Sequence, residues 1–395
     1  MSTRGIQPAV AALEPFRALL YAPSIDPGLV TTPPYDVISP AERQRLERLH
    51  PYNIISIILG AELPGDQPGQ DRYSRSAAYL RDWIAAGVLV YDDRPRLFAY
   101  RMDYEIGGVP GSSGGVIGAL ELEPLGSGGI HPHERTMPRP RSDRLELMKT
   151  TEANLEPIWL VGGPGVVGPA VTSALQRGAL IDFVDPAGVR HRLWRLDEAE
   201  AAAVSRGMDS PLVIADGHHR YAAALTYRDQ MRAAHGGGPW DRTLALVSDP
   251  AEEPPALLAI HRVTDLHRDD LSGGAAPEPY GGDLASLANH LATVGPGTVG
   301  LADSSGRWTM PSRGTPDTAW LAGVLDTAGA TVAYEHDLDE VAAAVAAGSL
   351  AFLLAPIPIE VVITAALAGE VMPPKSTLFW PKPRTGLLLR DHQLS

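Results

Sequence analysis

Two periods divide the chain: apolar positions recur at helical spacing in some stretches and run short and unbroken, or alternate, in others. Ser39-Pro40-Ala41-Glu42 predicts a helix start, with a serine N-cap, proline at the first helical position and glutamate at the third, the spacing of a capping box. Over residues 74–87, Leu80, Trp83 and Ile84 share one helical face and Gly87 closes the pattern, which predicts a second helix. Residues 97–106 and 116–122 read as strands joined by a Gly/Pro/Ser-rich stretch, a hairpin with a long tip. Short apolar runs at 157–161, 191–196, 212–215 and 244–247 predict more strands, with a helix beginning near Pro169. Residues 267–283 are rich in Asp, Gly and Pro and predict a boundary. Beyond it, 318–328 and 339–348 read as helices, 350–356 as a buried strand and 378–389 as the closing segment. Interleaved strands and helices predict an α/β (α+β) fold with a mixed sheet, elaborated by the hairpin and a C-terminal α/β segment.

Length and composition narrow the class. A chain of 395 residues exceeds the usual single-domain size, so two regions are expected, at 1–266 and 284–395. The formal charge of −14, from 33 basic and 47 acidic residues, disfavours nucleic acid and anionic membranes as partners, because both are bound through extended basic surface. The absence of cysteine removes disulfides, thiolate metal sites and cysteine nucleophiles. Residues 1–5 lack the apolar core of a signal peptide, and no run of eighteen apolar residues occurs. A cytoplasmic protein is expected, acting on small molecules, with a homodimer among the assemblies open to it.

The densest chemistry lies in Asp216-Gly217-His218-His219-Arg220, which follows an apolar run and precedes the helix-forming Ala222-Ala223-Ala224-Leu225. A strand that turns through Asp-Gly into a helix leaves backbone N–H groups at the helix start. Those donors, the positive end of the helix dipole and a nearby guanidinium favour an anion, above all a phosphate. The competing reading is a solvated turn. Asp36, in the rigid corner Pro33-Pro34-Tyr35-Asp36, has the restricted mobility a general base needs, though simple turn chemistry accounts for it equally.

Other segments are more ambiguous. Gly163-Pro164-Gly165-Val166-Val167-Gly168 fits G-x-G-x-x-G, but Pro164 and Pro169 remove N–H donors that a pyrophosphate would need, so a glycine-rich connector is the better reading than a dinucleotide loop. His131-Pro132-His133-Glu134-Arg135-Thr136 lacks the second histidine of H-E-x-x-H, because position 137 is Met. Glu134 and Thr136 could serve an active-site loop instead. Lys375-Ser376-Thr377 and Pro381-Lys382-Pro383-Arg384 form a basic patch suited either to phosphates or to open solvent.

Several of these runs resemble one family together. Pro15-Phe16-Arg17-Ala18, Pro33-Pro34-Tyr35-Asp36-Val37-Ile38, His50-Pro51-Tyr52-Asn53, His133-Glu134-Arg135-Thr136, Asp143-Arg144-Leu145, Ala153-Asn154-Leu155-Glu156-Pro157-Ile158, the 214–221 run, His261-Arg262-Val263, Lys375-Ser376-Thr377 and Pro381-Lys382 occur in the order seen in the domain-of-unknown-function 1015 family. The Asp-Gly-His-His-Arg run is similar to the phosphate motif of the ParB/sulfiredoxin superfamily, which includes free-serine kinases. The resemblance implies a ParB/sulfiredoxin-like core and phosphate transfer to a hydroxyl of a free amino acid, with L-serine the leading acceptor, from ATP, ADP or pyrophosphate with Mg²⁺. It implies that Asp216, Gly217, His218, His219, Arg220, Lys375, Ser376 and Lys382 hold phosphates, with Asp216 carrying the magnesium. It further implies Asp36, Glu134 and His219 as catalytic groups and His133, Thr136, Arg144 and Asn154 as the acceptor pocket. The alternative within the same superfamily is a ParB-like nucleotide-binding regulator without turnover.

Overall fold

The computed structural model describes residues 11–126, 128–135, 138–271, 276–313 and 316–393. The described chain forms two compact units, the first within 1–132, 136–255 and 381–395, the second within 133–135 and 256–380. The composition change at 267–283 falls inside the second unit. The chain crosses between units at 255/256 and returns at 380/381, where Ala256–Leu258 and Leu378–Trp380 pair antiparallel and close the second unit on itself.

The first unit is built on a mixed sheet. Its strands, in chain order, are β1 (Leu13–Glu14), β2 (Phe98–Ile106), β3 (Val109–Glu121), β4 (Ile130–Pro132), β5 (Ile158–Val161), β6 (Ile181–Val184), β7 (Arg190–Arg195), β8 (Leu212–Asp216) and β9 (Arg242–Ser248). Across the sheet they lie in the order β4-β8-β5-β9-β3-β2-β7-β6, with β1 added against β3. The pairs β4–β8 and β5–β9 are parallel and the others antiparallel. β5, β8 and β9 are unbroken apolar runs because both of their faces are covered, as their burial shows. One face packs Leu160, Ile214, Ala245 and Val247 with Val167, Val171 and Tyr221 into the larger core.

The expected hairpin forms without its long tip. β2 and β3 stay paired up to Ile106 and Val109, and Gly107-Gly108 alone makes the turn, at φ of 58° and 81°. Two successive positive-φ residues match the right-handed twist of the strands, so the glycines that suggested a loop instead allow the tightest hairpin. The helix α1 (Pro40–Leu49) starts where expected, with Ser39 accepting from the Glu42 N–H at 3.2 Å. The Glu42 carboxylate pairs with Arg45, so half of the capping box is made. The helix α2 (Arg72–Ala85) buries Leu80 and Trp83 against Ile54, Ile55, Ile57 and Ile58 in a second core. Sequence periodicity did not reveal α3 (Pro138–Thr151). Among the described residues, no helix is long and apolar enough to cross a membrane.

The second unit holds a wholly antiparallel six-stranded sheet in the order Glu278–Pro279, Gly306–Pro311, Thr298–Asp303, Leu350–Leu353, His261–Thr264, Val332–Glu335. Alternation along the strands serves both faces. Ala302, Ala351 and Leu353 meet the helices Leu284–Val294 and Leu338–Ala346, while Leu301 and Phe352 meet Asp317–Ala328. The predicted closing segment 378–389 is a strand only at Leu378–Trp380, because Pro381 and Pro383 interrupt the pairing that follows.

In the first unit the segment up to His392 is packed against α4 (His218–His235). His392 is buried, stacks on Tyr227 with centroids 5.5 Å apart, and neither ring nitrogen has a hydrogen-bond partner. Burial, reinforced by the charge of Arg390, pushes its pKa down to about 3. An unfolded histidine takes up a proton near pH 6.5 and the folded one refuses it until about pH 3. This contribution is therefore complete above pH 6.5 and lost as the pH falls toward 3, by about 1.4 kcal/mol per pH unit at most. The thermal midpoint should drop between pH 7 and pH 5, and His392→Phe should flatten that drop. An equal slope in the variant, followed by circular dichroism, would remove His392 from the account.

Candidate functional site

In the first unit, β8 ends at Asp216 and the eighteen-residue helix α4 (His218–His235) begins two residues later. Gly217 between them has φ +95° and supplies no side-chain cap to the first turn. A Cβ at Gly217 would also come within 3.1 Å of the Arg220 guanidinium, which folds back over the turn. The helix therefore presents its positive end beside a cation rather than a capping carboxylate. His218 is buried and His219 half-buried in that first turn.

Arg220 is held from two sides. It donates to the Asp216 carboxylate and to the Pro157 carbonyl, and its Nη1 lies 3.6 Å from Glu156 Oε2. Burial works against its charge, but Glu156, Asp216 and Asp36 outweigh it and raise its pKa. Glu156 also accepts from Arg144 Nη1 at 3.3 Å and from Thr385 Oγ1 at 3.2 Å. Arg144 in turn pairs with Asp143, donates to the Ile58 carbonyl at 2.8 Å and lies 3.9 Å from the centre of the Tyr35 ring. Asp143 completes the run by accepting from Arg72 and, at 2.9 Å, from the Tyr73 hydroxyl. Burial opposes ionisation of Asp143, yet Arg144 and Arg72 hold its pKa below the usual carboxylate value. Buried charges survive only when paired this fully.

Lys382 brings in the remaining carboxylate. Its Nζ donates to Asp216 Oδ1 at 2.5 Å and to Asp36 Oδ2 at 3.1 Å. Two neighbouring features aim it. Pro381 and Pro383 fix the backbone on either side, and Thr32 and Thr385 exchange backbone hydrogen bonds, placing the lysine segment beside the Pro33–Pro34 corner that carries Asp36. Burial disfavours the ammonium, but Asp216 and Asp36 outweigh it and raise its pKa.

Asp36, Arg144, Asp216, Gly217, Arg220 and Lys382 thus converge in one unit. Asn154 is nearby but committed elsewhere: its Oδ1 accepts from the Leu244 N–H and from Arg390, both at 3.1 Å. With Arg144, Glu156 and Arg220 it lines a cavity of about 30 Å³, room for one water. The other expected residues cluster in the second unit. Glu134 Oε2 accepts from the Lys375 N–H at 3.0 Å, and His133 Nε2 lies 2.9 Å from Thr377 Oγ1. Lys375 adopts φ +60°, and Ser376 donates to the Pro373 carbonyl at 2.7 Å. Thr136 lies outside the described residues.

Sequence reading passed over Glu156, which joins Arg144 to Arg220. The available signal was a lone acid directly before the apolar strand β5. The glycine-rich 163–168 stretch is a connector: Gly165 N–H is taken by Asp249 at 3.1 Å and Gly163 N–H by Ser210 at 3.3 Å, which leaves neither for a pyrophosphate.

The model of a family described as a protein of unknown function, DUF1015, matches residues 13–274. The chain belongs to that family. The DUF1015 match contains Asp36, Glu156, Asp216 and Arg220 but ends before Lys382. Among solved structures, the fold is similar to a mutant free serine kinase in complex with ADP (14% identity, TM-score 0.40, covering 68% of this chain and 91% of that one). It is also similar to a conserved hypothetical protein from Pyrococcus furiosus (15% identity, TM-score 0.38, 68% and 94%). A third is SbnI with a C-terminal truncation from Staphylococcus aureus (9% identity, TM-score 0.35, 71% and 89%). No curated protein matches the sequence.

The turn geometry makes a direct prediction. Gly217→Ala should cost about 1–2 kcal/mol of stability, from the positive φ and the contact with Arg220, read as a lower denaturant midpoint. Gly217→Asn, whose side chain tolerates positive φ, should cost less at the backbone. Equal losses in the two variants would assign the effect to the Arg220 contact instead.

Proposed function

We propose that this DUF1015 protein is a small-molecule kinase that transfers a phosphoryl group from ATP, ADP or pyrophosphate to the hydroxyl of a free amino acid, L-serine first. One observation carries the reading: Lys382 and Arg220 meet on Asp216 at the start of a glycine-capped helix, with Asp36 3.1 Å from the same ammonium. Two cations and a helix N-terminus suit the phosphates of a donor, and a carboxylate beside them suits the acceptor's proton. The similarity of the Asp216–Arg220 run to the ParB/sulfiredoxin phosphate motif supports the same assignment.

In this reading the acceptor oxygen attacks the terminal phosphorus and forms the new P–O bond. The bond to the donor's bridging oxygen breaks, and its electron pair leaves with the nucleotide or phosphate. The hydroxyl proton passes to the Asp36 carboxylate. Arg220, Lys382 and the first-turn N–H groups of α4 take up the charge that builds on the phosphoryl and leaving oxygens. His218 and His219 contribute to this phosphate cradle. Arg144, acting through Glu156, keeps the Arg220 guanidinium in place, while His133, Glu134, Lys375 and Ser376 form a separate cluster within the second unit.

Magnesium fits Asp216 poorly. Its Oδ1 carries Lys382 and its Oδ2 carries Arg220, so a divalent ion there would stand against two full positive charges. No step is assigned to the ion.

Mass spectrometry of the protein incubated with each donor and a panel of amino acids and polyols tests the proposal. A phosphorylated amino acid is expected, and Arg220→Ala should lower its formation by about 10²-fold or more. Full activity in Arg220→Ala would displace the site. Tight nucleotide binding with no product from any donor would favour the regulator.

A further inference from the structure

Lys382 stands between two carboxylates. Its Nζ is within hydrogen-bond distance of Asp216 Oδ1 and of Asp36 Oδ2, and its side chain is only 11% exposed. The two carboxylates come from distant parts of the chain, one from the end of β8 and one from the turn Tyr35–Val37. Asp216 is shielded and Asp36 exposed, and without a cation between them the two carboxylates would repel each other. Paired carboxylates facing one small, hard cation are the usual way a protein holds a divalent ion beside phosphates. Here the cation is a compact ammonium on a short tether whose backbone is fixed by Pro381 and Pro383. Asp216 already has Arg220 as a structural partner, so Lys382 is not needed merely to satisfy that carboxylate.

We propose that Lys382 is the resident cation of this site, occupying the position between Asp36 and Asp216 in which those carboxylates would otherwise bind a divalent metal. A phosphate donor then meets a cation supplied by the chain, and the donor-free protein has no divalent-metal site at this pair. The clause about the donor rests on the kinase reading; the clause about the metal does not.

Mn²⁺, followed by electron paramagnetic resonance and by its effect on the thermal midpoint, is the probe, with no nucleotide present. The unmodified full chain should leave Mn²⁺ free at micromolar concentrations. Lys382→Met should bind one Mn²⁺ per chain at least about tenfold more tightly, because a full positive charge has been removed from between two negative ones. Lys382→Met combined with Asp36→Asn should lose that gain, and Lys382→Arg, which keeps a cation, should not acquire it. Equal Mn²⁺ affinity in the unmodified chain and in Lys382→Met overturns the proposal. Should Lys382→Met fail to fold, the unmodified chain decides: bound Mn²⁺ that Asp216→Asn abolishes overturns the proposal, and Mn²⁺ left equally free by both supports it. Absence of phosphoryl transfer with every donor would remove the kinase reading and leave these metal measurements to decide on Lys382.

Discussion

Pairing of buried charge is the constraint on which the first unit turns. Arg72, Asp143, Arg144, Glu156, Arg220, Asp216, Lys382 and Asp36 follow one another with alternating sign, each touching the next. None of these contacts is valuable as a surface ion pair would be counted. Their importance lies in the penalty for breaking one, since a removed partner strands a charge away from water. The network therefore fixes positions rather than adding much net stability. It ties α2, α3, the start of α4 and the C-terminal segment to a single arrangement around the Asp-Gly turn.

Local chemistry carried much of the fold into the sequence. Ser39-Pro40 marked the start of α1, and Leu80 with Trp83 marked the buried face of α2, because each signal acts within a turn or two of helix. The unbroken apolar runs gave β5, β8 and β9. The hairpin tip was misread because glycine has two opposite uses: Gly107-Gly108 makes the strands turn sharply, whereas a glycine-rich stretch more often signals a loop. The strands Thr298–Asp303 and Gly306–Pro311 were passed over altogether. They pair with each other across Ser304-Ser305, and their mixed small, polar and apolar residues blur the alternation that would mark them.

The site was legible as residue types and less so as a constellation. The Asp216–Arg220 turn announces itself, since five adjacent residues supply it. That Lys382 would meet Asp36 is a fact of topology: a Thr32–Thr385 bridge brings together segments separated by most of the chain. Glu156 left the weakest trace. Its role is to face two arginines at once, and a single acid in sequence does not show how many cations surround it. Asn154, attractive as a polar residue in a family-like run, instead secures the Leu244 N–H and Arg390.

The segment from Pro381 onward belongs to the first unit, although the chain reaches it only after traversing the second. Synthesis runs from the N-terminus, so Asp36, Asp216 and Arg220 all emerge well before Lys382. Until the segment carrying Lys382 and Arg390 has been made, the two carboxylates lack their shared cation and Asn154 lacks Arg390. Emergence of the Lys382 segment is thus the last step that assembles these charges. A chain cut short by a premature stop, even one that spares every residue of the central sheet, would carry the turn but not the charge that closes it.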